Sequence, residues 1–215
     1  MTVEIVSLSA VGEDSIAVCF EICDGEHCQK EKFIVGAEPV ARLRLKVGEC
    51  SREIYDRVAE DAEIHFALKR GLNILAYGSC SEKALMQKLK MKGVSSEIAK
   101  RVACELVRRG YMDPHADATR EAQRCLSKLW GKKRIICELH KKGYSDRDIH
   151  GALYSLEDAE VDFAEICAER LKRTADCIPT DPTERKKLIS SLCRYGFSGE
   201  DIREAFKIFG SEKTH

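Results

Sequence analysis

The sequence has only four prolines, few aromatic residues and no long hydrophobic run. Its longest apolar stretch, Ser15–Cys23, contains Glu21 and is too short to cross a bilayer, which takes about 20 apolar residues. No basic segment followed by an apolar run opens the chain, so a signal peptide is not expected. These absences predict a cytoplasmic protein without a membrane anchor.

Sequence motifs for nucleotide or metal chemistry are also missing. The chain has neither a Walker pattern nor a Gly-x-Gly-x-x-Gly loop, and neither His-Glu-x-x-His nor Cys-x-x-Cys. The nearest metal candidate is the group Cys19, Cys23, Cys28 and His27. If Asp24 and Gly25 form the hairpin turn, Cys28 pairs with Glu21, the cysteines share one face and His27 points away. Three thiolates without a fourth ligand are a poor site for structural zinc. A disulfide between two of these cysteines is the other possibility. We expect no metal, no cofactor and no enzymatic activity.

Eleven cysteines are many for this chain, and the number is odd. They are spread along the sequence rather than concentrated in short loops, unlike those of a secreted disulfide scaffold. We therefore expect most of them to be small apolar core residues in a reducing compartment. Cys104 and Cys137 lie among basic residues, but no His/Asp pair indicates catalysis.

Charge is segregated along the chain, although the formal net charge is zero. Residues 1–70 carry 9 basic and 14 acidic side chains, and residues 83–147 carry 17 basic and 7 acidic. Residues 148–169 carry 7 acidic side chains and no Lys or Arg. A basic block is typical of contact with phosphates or with an acidic protein surface, although long Lys and Arg stems also cover helix faces.

The N-terminal part has the two-residue period of strands. Val3–Leu8, Ser15–Cys23 and His27–Val35 are the predicted strands, with a hairpin turn at Asp24-Gly25. Pro39 marks a boundary, and Arg42–Val47 is either a further strand or a short helix.

From about Ser51 the period becomes helical, and three segments align on Gly93, Gly143 and Gly196. The buried-face positions before each glycine are apolar in all three segments: Leu85, Met86 and Leu89; Ile135, Ile136 and Leu139; and Leu188, Ile189 and Leu192. Each glycine suits the left-handed position that ends a helix. Ser145 with Asp148 and Ser198 with Asp201 form capping-box patterns for the next helix, whereas the first segment lacks the acidic partner.

A preceding helix completes each segment: about 57–77, 116–129 and 160–173. The sequence therefore predicts a mainly α-helical protein of three tandem three-helix repeats forming an elongated curved array, with a small N-terminal β-hairpin module. The predicted boundaries are 1–48 for the strand module, then 49–112, 113–158 and 159–215 for the repeats.

These segments resemble the RecX family, the regulatory proteins of the bacterial recombinase RecA. The matching motifs of the first segment are Ser81-Glu82, Lys88-Leu89, Lys92-Gly93 and Gly110-Tyr111-Met112-Asp113. Those of the second are Trp130-Gly131, Arg134-Ile135, Glu138-Leu139 and Lys142-Gly143, and those of the third are Glu184–Leu188, Arg194–Ser198 and Asp201-Ile202. The chain departs from the family pattern at Pro114 and Asp117-Ala118, where the family has an acidic residue and a Phe-Ala pair.

The resemblance implies a monomeric regulator that binds in the groove of the RecA filament on single-stranded DNA and limits its growth or stability. It implies a role in homologous recombination, DNA repair and the SOS response. The predicted contact residues are basic: Arg108, Arg109, Lys132, Lys133, Arg134, Lys141 and Lys142. The sequence does not decide whether the protein contacts the DNA strand directly. Trp130 either stacks on a base or packs between repeats. An independent helix-turn-helix DNA-binding protein is the alternative.

Overall fold

The computed structural model describes residues 2–25, 27–175 and 177–212. The strands are β1 (Thr2–Ala10), β2 (Ser15–Asp24), β3 (His27–Gly36) and β4 (Gly48–Cys50). The helices are α1 (Ala37–Arg42), α2 (Arg52–Ala76), α3 (Glu82–Met91), α4 (Ser96–Arg108), α5 (Pro114–Leu126), α6 (Lys132–Lys141), α7 (Asp146–Asp158), α8 (Phe163–Thr174), α9 (Pro182–Arg194) and α10 (Gly199–Glu212). The prediction of a mainly helical chain with an N-terminal strand module is confirmed.

The chain divides into two compact units. Unit 1 spans Met1–Gly78 and Leu85–Tyr111, and unit 2 spans Ser79–Ala84 and Met112–His215. The division into four segments at 48, 112 and 158 stays a prediction, and its last residues, 213–215, lie outside the described part of the chain. No described helix is long and apolar enough to span a membrane.

In unit 1 an antiparallel sheet of order β3-β2-β1-β4 packs against α2. The three predicted strands are confirmed, whereas the segment after Pro39 contains α1 and then the short strand β4, which pairs with β1. Alternating side chains of the strands enter the core, among them Phe20 and Phe33, which pack with Tyr55 of α2. The centroids of these three rings lie 5.1–5.9 Å apart. Edge-to-face packing of this kind adds to the hydrophobic effect of burial.

The predicted turn of the β2–β3 hairpin is wrong by one residue, so the partner of each strand residue is wrong by two. Asp24 pairs with His27, so the turn starts at Gly25 and Cys28 lies opposite Cys23 rather than Glu21. Cys23 and Cys28 form a disulfide in this arrangement. The expectation that Cys19, Cys23 and Cys28 share a face is confirmed, because residues that pair across antiparallel strands point to the same side.

In unit 2 two groups of three helices each enclose a hydrophobic cluster. The first cluster joins α5, α6 and α7 around Leu139, and the second joins α8, α9 and α10 around Phe197. Apolar residues spaced three and four apart place one face of each helix towards its cluster.

The three aligned glycines end helices as predicted. Gly93, Gly143 and Gly196 have φ of 86°, 83° and 93°, which few residues with a side chain adopt. The capping boxes are also confirmed: Asp148 and Ser145 cap α7 reciprocally, and the Ser198 N–H donates to Asp201 Oδ2 at 2.6 Å.

Two of these turns contact the start of another helix in unit 2. The Gly131 and Lys133 N–H groups donate to the carbonyls of Tyr195 and Gly196 at 2.8 and 3.1 Å. Helix α6 begins without a side-chain cap, so these carbonyls satisfy part of its N-terminus. Ser81 precedes Gly93 by as many residues as Gly131 precedes Gly143, so the two are equivalent in the aligned segments. The Ser81 hydroxyl donates to the Lys142 carbonyl at 2.6 Å. We call these two contacts the turn junctions.

Candidate interaction surface

The seven predicted contact residues fall into two groups. Arg108 and Arg109 belong to unit 1, at the C-terminal end of α4, and the other five belong to unit 2, at the two ends of α6. The basic block in the sequence therefore corresponds to separate local surfaces, and each is described within its own unit.

Arg108 and Arg109 share a single carboxylate. Arg108 donates to Glu105 at 2.6 and 2.7 Å, and Arg109 donates to the same side chain at 2.5 Å. These hydrogen bonds, first from Arg108 and then from Arg109, lower the pKa of Glu105 to about 2. Because two cations face one anion, the group keeps a positive charge for a partner.

We expect Glu105 to titrate near pH 2 rather than near its ordinary 4.5. Because the pKa of Glu105 is lower in the folded chain than in the unfolded chain, the pairing stabilises the folded state at pH values above about 4.5. This stabilisation is lost as the pH falls from about 4.5 through about 2. Carboxyl-resolved NMR titration measures the shift directly. Replacing Arg108 and Arg109 with glutamine should return the pKa towards 4.5, and an ordinary pKa in the unaltered chain would contradict the pairing.

The lysines of α6 differ in how strongly they are engaged. Lys132 pairs with Glu157 at 2.7 Å, and Lys142 pairs with the buried Glu121 at 2.8 Å. Lys133 and Lys141 are exposed and form no ion pair with any residue that the structure describes. Lys133 and Lys141 are therefore the residues of this group that a partner meets without breaking an existing bond.

Arg134 is engaged inside the chain. Its guanidinium carbon lies 4.2 Å from the centroid of the Trp130 ring and 4.9 Å from that of the Tyr195 ring. Arg170 also stacks on Tyr195, at 3.1 Å from the ring centroid, and donates to the Lys128 carbonyl. This cation–π stack links α6, α8 and the turn after α9, so reversing the charge of Arg134 would disturb the fold as well as the surface.

Trp130 packs within unit 2. It lies against the cluster of α5, α6 and α7, and the Lys128 ammonium is 5.1 Å from its ring centroid. The contact with Arg134 joins it to the stack on Tyr195. Of the two roles that the sequence leaves open, the packing role is the one with contacts in this structure.

The expectation that most cysteines are core residues is wrong. Of the free cysteines, only Cys125 and Cys167 are buried, whereas Cys104, Cys137, Cys177 and Cys193 are exposed. Desolvation raises the pKa of the buried Cys125, and it raises the pKa of Cys167 to about 12, so both thiols stay protonated. Helical periodicity marks a cysteine as apolar without showing which face it occupies, which explains the error.

The described residues include no group of three or more His, Cys, Asp or Glu side chains arranged to hold a metal ion. His27 lies opposite Asp24, on the face away from Cys23 and Cys28. The disulfide leaves Cys19 as the free thiol of the hairpin.

Sequence reasoning missed a cleft in unit 1 that includes Arg108 and Arg109. Its other side chains include Lys69 and His65 of α2 and Tyr111, which follows the C-terminal end of α4. In the sequence, Tyr111 is only part of a junction motif, and Lys69 follows the pattern of an ordinary solvated helix face. Only the packing of α4 near α2 brings them together.

Fold and surface together define a class: a mainly helical protein in which short helices meet at glycine turns beside basic side chains. No family model matches the chain. Regulatory protein RecX of Stenotrophomonas maltophilia (strain K279a) is 28% identical over 139 residues, which cover 64% of this chain and 83% of that protein.

Two crystal structures share the fold. One is of a regulatory protein RecX, with a TM-score of 0.72 and 20% identity, covering 97% of this chain and 99% of that one. The other is RecX from Lactobacillus salivarius, with a TM-score of 0.59 and 21% identity, covering 69% of this chain and 97% of that one. The sequence relative and the shared fold together support the assignment of this chain to the RecX family.

Proposed function

We propose that this chain regulates the RecA recombinase by binding its filament on single-stranded DNA and limiting the growth or stability of that filament. It acts by binding, without turnover, and thereby modulates homologous recombination, DNA repair and the SOS response. The observation that carries the proposal is the sequence match to regulatory protein RecX over 83% of that protein.

The proposal includes an architecture of three tandem three-helix repeats in an elongated, curved array. The clusters of α5–α7 and α8–α10 support it, since each encloses its own core. The turn junctions support it as well, because Ser81 and Gly131 hold equivalent positions in the aligned segments and each contacts the turn of the following segment. Stacked repeats of this kind form extended surfaces suited to a filament.

The contacts proposed for the filament are the basic side chains of these separate local surfaces, foremost Lys133 and Lys141 of α6. Their charges are free of ion pairs with the described residues, so binding costs no internal bond. Lys132, Lys142, Arg108 and Arg109 add charge that is partly neutralised by carboxylates. Complementary charge of this kind raises the association rate and fixes orientation.

Reversing both Lys133 and Lys141 to glutamate should weaken inhibition of RecA-promoted strand exchange by about tenfold or more, because steering by charge is lost. Helical content should stay unchanged, since both side chains are exposed. Titration of strand exchange with each variant, alongside far-UV circular dichroism, measures both effects.

The matched control reverses Lys46 and Lys207, which are exposed and outside the proposed surface, and it should inhibit like the unaltered chain. Equal inhibition by the Lys133/Lys141 variant would refute the proposed contact surface. Filter binding separates this function from that of an independent DNA-binding protein: tight, sequence-specific binding to naked duplex would favour the latter.

A further inference from the structure

Unit 1 contains a cleft of about 710 Å³ between α1, α2 and the end of α4. The apolar side chains of Ile64, Leu68 and Leu72 contribute to its lining, all from α2. Cationic and aromatic side chains complete it. Clefts of this volume that combine apolar lining with a few polar groups are typical of ligand sites.

The end of α4 gives the cleft a local positive charge. The lining contains five cationic and four anionic side chains, and one of the cations, Arg101, pairs with Glu60 outside the lining. Arg42 is balanced by Asp61 at 2.7 Å, whereas Arg108 and Arg109 share Glu105, which leaves one positive charge in excess there. This local excess suits a phosphodiester group, which carries a single negative charge.

Lys69 is held in place by a neutral partner. Its ammonium donates to the buried Ser15 hydroxyl at 2.8 Å, and that hydroxyl lies 3.0 Å from His65 Nε2. Desolvation and the nearby Lys69 lower the pKa of His65, so the imidazole is uncharged near neutral pH. Lys69 therefore has a fixed position at the cleft and forms no ion pair with any residue that the structure describes.

Tyr111 offers a flat surface at the same cleft. Its residue is 58% exposed, yet its backbone is fixed, because its N–H donates to the Leu106 carbonyl at 2.9 Å after the turn at Gly110. An exposed aromatic ring on a fixed backbone, in the same cleft as two arginines, is a combination on which unpaired bases stack. An acidic peptide would use the charges but gain little from this ring.

From these features we infer that the cleft between α2 and α4 binds a nucleotide of a single-stranded nucleic acid, with its base on Tyr111 and its phosphate near Lys69 and Arg109. The inference rests on the proposed function and deepens it, because it assigns a direct contact with the DNA strand to unit 1. The ring favours a single strand over a duplex, because the bases of a duplex are already paired and stacked on one another.

Fluorescence anisotropy with a labelled oligothymidylate and the full chain, without recombinase, tests the site. Tyr111→Ala should weaken binding by about 5- to 100-fold, as expected for one lost stacking contact, whereas Tyr111→Phe should retain it. Lys69→Gln should reduce the slope of log affinity against log salt by about 0.7, the value for one phosphate of a single strand. Glutamine can still hydrogen-bond to Ser15.

Tyr154→Ala is the matched control, because Tyr154 is likewise exposed, at 69%, but lies in unit 2. It should bind like the unaltered chain. Unchanged binding by Tyr111→Ala, equal affinity for duplex, or equal competition by polyglutamate would each overturn the inference. Because no recombinase is present, its failure is distinguishable from that of the proposed function: the Lys133/Lys141 reversal tests filament inhibition separately.

Discussion

Replacing Gly196 with alanine should destabilise the folded chain by about 3 kcal/mol or more. Two costs add: a left-handed φ of 93° costs a side chain about 1–2 kcal/mol, and overpacking a tight contact costs about 1–3 kcal/mol. A Cβ at Gly196 would lie under 3.0 Å from the backbone of Arg134, which cannot move aside without shifting α6. Urea unfolding followed by far-UV circular dichroism measures the loss.

The other turn glycines provide graded controls. Gly93→Ala should cost only about 1 kcal/mol, because its φ of 86° is similar but no neighbouring atom lies within 4 Å of where the alanine methyl group would be. Gly143→Ala should fall between them, with Lys83 Cβ at 3.0 Å and Ser81 Oγ at 3.1 Å from its added methyl group. Equal losses at all three positions would show that the turn junctions are looser than described.

Leu139→Ala should cost about 2–5 kcal/mol, the range for truncating a fully buried leucine. Leu139 has no exposed surface and lies in the cluster that joins α5, α6 and α7. Trp130, the sole tryptophan, packs against the same cluster, so its fluorescence during urea unfolding reports this region.

Cys137→Ala in the same helix is the control for Leu139→Ala. Cys137 is exposed, so its truncation should change the free energy of unfolding by less than about 0.5 kcal/mol. If the two variants unfold at the same urea concentration, Leu139 does not support the cluster.

Local signals made much of the fold predictable. The alternation in β2, the capping serines and the glycines at helix ends act within a few residues, and the structure has all three where the sequence places them. Helix starts were less accurate: α2 begins at Arg52 rather than near Arg57, because Ser51 caps it. The hairpin register also failed, since moving the turn by one residue re-pairs every position along β2 and β3.

Long-range contacts were not predictable from the pattern. Nothing near Arg134 in the sequence indicates that its guanidinium lies against Tyr195, and the cleft beside Tyr111 depends on how α4 packs near α2. Charge counts locate a basic segment but not which of its cations already have partners. Lys133 and Lys141 are distinguished from Arg134 only by the tertiary structure.

The cap of α6 has a consequence for the order in which the chain matures. The N–H groups of Gly131 and Lys133 find their acceptors only at Tyr195 and Gly196, so a nascent chain on the ribosome lacks them until α9 has emerged. A proteolytic fragment ending before α9 would expose the same two donors to water. The hydrogen bonds at the N-terminus of α6 are therefore completed only by residues that are synthesised after it.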